Sequence, residues 1–132
     1  MKYQSIQTLL DAHLAATPDL PALQLENTRN IATSGTPFAR ATLQTTEAVR
    51  ESSMKTRHSG LYIVDLYYPQ DTGVAAANAM ADAVIARFDS APLGRLSDDQ
   101  VTVQLQRAWR QSIGRREPFY ALQVVVRWHA LI

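Results

Sequence analysis

Between Tyr3 and Ala16 the apolar residues Ile6, Leu9, Leu10 and Leu14 recur at three- and four-residue spacing, with His13 beside them. Gln4, Gln7 and Asp11 fall on the other side, so the spacing predicts a helix that Pro18 and Pro21 end. A short strand is expected over Leu23–Leu25. The run NTRNIATSGTP has no periodicity and many turn residues, which predicts a loop over Asn27–Pro37. FARATLQ, Phe38 to Gln44, predicts a second strand with a mixed face. The polar stretch that follows, Thr46 to Ser59, is expected to be an exposed excursion between strands.

The densest pattern is GLYIVDLYYPQDTG leading into VAAANAMADAVIARF. Tyr62, Val64, Leu66 and Tyr68 form one wholly apolar or aromatic face of a strand, which predicts contact with helices. Leu61, Ile63, Asp65 and Tyr67 form the other, a face expected to be only partly covered within one chain. Pro69 removes a backbone donor and ends sheet pairing, and Asp71 and Gly73 turn the chain. The following helix is expected to point Ala77, Met80, Ala81, Val84, Ile85 and Phe88 inward and Asn78, Asp82 and Asp89 outward. Ala91–Asp99 reads as a connector. VTVQLQRAW alternates cleanly, and FYALQVVVRWHALI places Tyr120, Leu122, Val124, Val126 and Trp128 on one face. RQSIGRREP between them is expected to be a basic loop, Arg110–Pro118.

This order predicts an α+β fold with two helices on one face of a mostly antiparallel mixed sheet of about five strands. At 132 residues the chain is long enough for one core, so residues 1–132 are expected to form a single domain. No apolar run reaches the roughly 20 residues of a membrane helix, and the first residues lack a signal-peptide core, so no membrane partner is expected. The chain has no cysteine, which excludes disulfides and thiolate metal sites. The net charge of +1 hides a polarity. Asp71, Asp82, Asp89, Asp98 and Asp99 outnumber Arg87 and Arg95, a net of −3 over Asp71–Asp99. Arg107, Arg110, Arg115, Arg116 and Arg127 face only Glu117, a net of +4 from Arg107 onward. Solvated surfaces that happen to differ would look this way, and so would a chain that associates head to tail.

Chemistry-bearing patterns are scarce. His13, His58 and His129 have no partner at metal-ligand spacing: His13 reads as a satisfied core-edge histidine, and His58 and His129 as solvated. No nucleophile elbow, phosphate loop or dinucleotide fingerprint occurs. Asp65 is the one acid placed where its environment could perturb it, and Arg40 is its expected cross-strand partner. A small hydrolase would need Asp65 gathered with His13 or His58. No catalytic residue, cofactor or metal is expected, and the chain reads as a non-enzyme. Lys55, Arg57, Arg110, Arg115 and Arg116 fall in the two predicted basic loops. Without interleaved aromatics they do not predict sequence-specific nucleic-acid binding.

The succession IQTLLDAHLA, LQLEN, FARATLQ, GLYIVDLYYPQDTG, ADAVIARF, VTVQLQRAW and YALQVVVRWHA resembles the phage and prophage tail-terminator proteins, also called tail-completion or minor tail proteins. The likeness extends to the small phage-related family long filed as a domain of unknown function. It rests on element order over nearly the whole chain, with the strand-Pro-x-Asp-x-Gly-helix unit as its most distinctive piece. The resemblance implies a structural protein of the virion tail, present in the host cytoplasm during assembly. It implies a self-associated ring, typically a hexamer, on the last tail-tube ring, which ends tube polymerisation and offers a surface to the head-neck connector protein. Lys55, Arg57, Asp98, Asp99, Arg110, Arg115 and Arg116 are then the candidate assembly interface. The competing expectation is a protein- or nucleic-acid-binding module that uses the basic Arg110–Arg116 loop.

Overall fold

The computed structural model describes residues 2–26, 36–50, 52, 55–69, 73–116 and 119–131. Its elements are α1 (Lys2–Ala15), β1 (Ala22–Gln24), β2 (Phe38–Arg50), β3 (Thr56–Pro69), α2 (Ala75–Asp89), β4 (Arg95–Ser97), β5 (Thr102–Arg116) and β6 (Phe119–Leu131). The strands form one curled sheet in the order β1-β2-β3-β6-β5-β4. All neighbours are antiparallel except β1 and β2, which run parallel. The α+β class is as the pattern predicts, but the sheet has six strands. β4 is a three-residue strand within the predicted connector, too short to carry a period.

Both helices pack on one face. Ile6, Leu10 and Leu14 of α1 and Ala77, Ala81, Val84 and Phe88 of α2 meet Tyr62, Val64, Leu66, Leu122, Val124, Val126 and Trp128 in one cluster. The side chains of α1 and α2 spaced three and four apart supply this apolar stripe, as the periodicity requires. Ile85 is only half-buried at its margin. Gly73 takes φ +82° before α2, an angle that suits glycine, whereas Asp71 lies outside the described residues. The helices are also clasped through the backbone: His13 Nε2 meets the Arg87 carbonyl at 2.8 Å, and Arg87 Nε donates to the His13 carbonyl at 3.0 Å.

Two predicted loops are strands instead. β2 and β3 remain paired out to Arg50 opposite Thr56, so most of Thr46–Ser59 is a solvated hairpin arm. β5 continues through Arg110 to Arg116, which pairs with Phe119. Neither arm shows strong apolar alternation, and the described side chains of both are exposed or half-buried. The ladder hydrogen bonds hold them, and these leave no trace in side-chain pattern. Most of the predicted Asn27–Pro37 loop lies outside the described residues, as do Glu117 and Pro118.

Close fit and irregularity shape the sheet. A Cβ on Gly60 would stand 1.9 Å from the Gln44 carbonyl oxygen, next to a β2 irregularity between Thr45 and Glu47. β5 has irregularities between Leu105 and Arg107 and between Ser112 and Gly114, and Gly114 has φ +89°. Such bulges increase local twist and bend the strand.

Candidate functional site

The helix-free face can be read row by row from the register. Phe38 and Tyr67 are opposite one another in β2 and β3, and Phe119 packs edge-on to both rings. Arg40, Asp65, Gln123 and Gln111 make the next row. Arg40 lies directly opposite Asp65, as expected, and its guanidinium sits over the Phe38 and Tyr67 rings at 5.8 and 5.6 Å. Gln123 bridges the row: its Nε2 donates to Asp65 Oδ1 at 2.8 Å and its Oε1 accepts from Gln111 Nε2 at 2.8 Å. Thr42, Ile63, Val125 and Trp109 form an apolar row, followed by Gln44, Leu61, Arg127 and Arg107. Val125 is buried even here, flanked by Ile63 and Trp109, while Leu61, Ile63 and Tyr67 remain half-buried.

The candidate interface residues divide between the ends of this surface. Lys55, Asp98 and Asp99 line one cavity of about 460 Å³ with His129 and Leu131. Arg57 is the register partner of Leu131 and belongs to the same end. Asp98 is built in as a turn: its Oδ1 accepts from the Gln100 and Val101 amides at 2.7 and 2.9 Å. Those two backbone bonds hold its carboxyl below the ordinary range. Arg115 and Arg116 lie at the opposite end, in register with Tyr120 and Phe119. Arg110 stands between, its Nη1 donating to Asn78 Oδ1 of α2.

The residues that hydrolysis would need are not gathered. His13 is held at the α1–α2 junction, with burial lowering its pKa first and the Arg87 charge adding to that; the carbonyl bond opposes them. Asp65 is on the helix-free face. His58, expected to be solvated, instead has Nδ1 paired with Tyr3 Oη, the two rings meeting edge-on at 5.1 Å. His129, also expected to be solvated, has its Nδ1 buried with no partner among the described residues. Burial lowers its pKa, and Arg57 lowers it further. No group of three or more His, Cys, Asp or Glu able to hold a metal occurs among the described residues. No described helix is long and apolar enough to cross a membrane.

Three structural features escape the sequence pattern. Tyr62 Oη donates to Asp11 Oδ1, joining the core strand to α1. Burial raises the Asp11 pKa against the opposing hydrogen bond, and raises that of Tyr62. Arg107, Trp109, Arg110 and Arg127 surround a cavity of about 500 Å³. Finally, β1 covers only Phe38–Arg40 of β2, and β4 only Thr102–Gln104 of β5. The rest of each outer rim has no strand beside it among the described residues.

Half-covered edges and a half-buried sheet face define a protein suited to contact with other chains. The family described as phage tail terminator protein matches residues 5–128, and the chain belongs to it. Its role is therefore structural, in a phage tail, among other tail or head components. No curated protein matches the chain. Among matching solved structures, one whose name states no function shares 16% identity with TM-score 0.69, covering 98% of this chain and 96% of its own. That likeness shows the fold.

Proposed function

We propose that this chain assembles head to tail into a ring, as six copies, on the end of the tail tube. The ring stops tube polymerisation and presents a surface to the head-neck connector protein. The observation that carries the reading, beyond family membership, is the charge polarity of β5. Asp98 and Asp99 precede the strand, and Arg115 and Arg116 close it. Fourteen steps at about 3.3 Å put these ends roughly 45 Å apart. Unlike charges at opposite ends favour a heterologous contact, and such contacts close into rings when the rotation permits. The half-buried helix-free face supplies apolar area for assembly. Lys55, Arg57 and Arg110 complete the proposed contact set, and the whole chain acts as one unit.

The test is the solution mass of the protein, alone and with polymerising tube subunits. A hexamer-sized species or arrested tubes is expected, and Arg115→Glu with Arg116→Glu should abolish assembly while the fold survives. A monomer that leaves tube growth untouched would overturn the reading.

A further inference from the structure

The free rim of β5 and the arginine-lined cavity beside it are one site. Between its two irregularities β5 has six residues in unbroken register with β6, Arg107 to Ser112. Alternate residues of an edge strand turn both N–H and C=O outward, so this rim presents donors and acceptors in turn. Side chains from both sheet faces flank it. Arg107 and Trp109 lie on the helix-free face, with the Arg107 guanidinium 5.8 Å from the Trp109 ring centre. Arg110 lies on the helix side, fixed by Asn78.

The charge arrangement is unfavourable for a chain by itself. Arg107 and Arg127 are directly opposite in the ladder, and like charges so placed repel. Both are exposed, and among the described residues no carboxylate lines the roughly 500 Å³ cavity that they share with Trp109 and Arg110. An anion between them turns that repulsion into attraction. A phosphodiester would supply charge and only acceptors, leaving the outward N–H and C=O alternation half-used. An extended peptide supplies both main-chain partners, and carboxylates on successive residues would reach opposite sheet faces, where Arg107 with Arg127 and Arg110 stand.

We propose that the Arg107–Ser112 rim binds an extended acidic segment of a protein partner as an added strand. Adjacent carboxylates of that segment engage Arg107 and Arg127 on one face and Arg110 on the other, and a neighbouring apolar residue packs on Trp109. Main-chain pairing provides affinity and the arginines provide choice, since a basic or neutral edge is rejected. The site shares Arg110 with the proposed assembly contact, but neither a ring nor a tube is needed to observe peptide binding, so the two readings can fail separately.

The test uses the full chain and a fluorescein-labelled peptide, Thr-Val-Glu-Glu-Val-Thr, followed by anisotropy. A Lys-Lys version, a version N-methylated at both valines, and an oligothymidylate of equal length serve as comparisons. The Glu-Glu peptide should bind at least about tenfold more tightly than each, and Arg107→Glu with Arg127→Glu should weaken it by at least about tenfold. The milder Arg127→Gln should weaken it severalfold, which keeps the test open should the double variant melt early. Equal or tighter oligothymidylate binding would overturn the proposal in favour of a phosphate site. Undiminished binding of the N-methylated peptide would exclude strand addition. Self-association through the same arginines that the peptide cannot displace would make a second copy the occupant and also overturn it.

Discussion

The same strands carry two faces with opposite relations to the rest of the chain. On the helix side Tyr62, Val64, Leu122, Val124 and Trp128 are fully buried, covered by α1 and α2. On the other side Leu61, Ile63 and Tyr67 stay half-buried among Arg40, Arg107 and Arg127. One face is completed within the chain, and the other stays half-buried. The helix side should govern stability, and the opposite side and its rims should govern association.

The two tryptophans break or sharpen that comparison most directly. Trp128→Ala should cost about 3–5 kcal/mol in denaturant unfolding, the range for deleting a large buried aromatic. Trp109→Ala should cost less than about 1 kcal/mol while weakening the acidic peptide. Similar losses for both would show that the faces are not energetically distinct. Next comes Gly60→Ala, which forces a methyl against the Gln44 carbonyl and should cost about 1–3 kcal/mol by the same measurement.

A smaller effect follows pH. His13 has a lower pKa folded than its ordinary 6.5, so the unfolded chain binds the proton more readily. Its stabilising contribution is therefore present above that value and lost as pH falls. The denaturation midpoint should decrease from about pH 7.5 to about pH 5.5. His129, shifted in the same direction, adds to the slope, so His13→Gln should reduce the slope without abolishing it. An unchanged slope would mean that the α1–α2 clasp is not titrating. The smallest expected effect is Arg107→Glu, which replaces a like-charge pair with an unlike one opposite Arg127. Melting should show a gain of a few tenths of a kcal/mol, whereas a large loss would place Arg107 among the structural residues.

The candidate site was legible in its residue types but not in its grouping. Lys55 and Arg57 were expected on one loop and Arg110, Arg115 and Arg116 on another. Two cavities instead gather Lys55 with Asp98 and Asp99, and Arg110 with Arg107 and Arg127. Arg107, Trp109 and Arg127 carry no motif in sequence, because a separation of twenty positions hides that Arg107 and Arg127 are opposite. Like arginines in both closing strands were the available signal, and only pairing makes them neighbours.

The sequence by itself determined the helices, the buried strand faces and the turn at Gly73, because periodic burial and backbone sterics are local properties written in side-chain types. It did not mark the polar arms Thr46–Arg50 and Arg110–Arg116 as strands, since backbone hydrogen bonds hold them there and side chains leave no period. Strand order, the short capping strands β1 and β4, and hence the position of the open rims were decided by tertiary structure. These depend on which distant segments pair, and pairing is a property of the whole sheet.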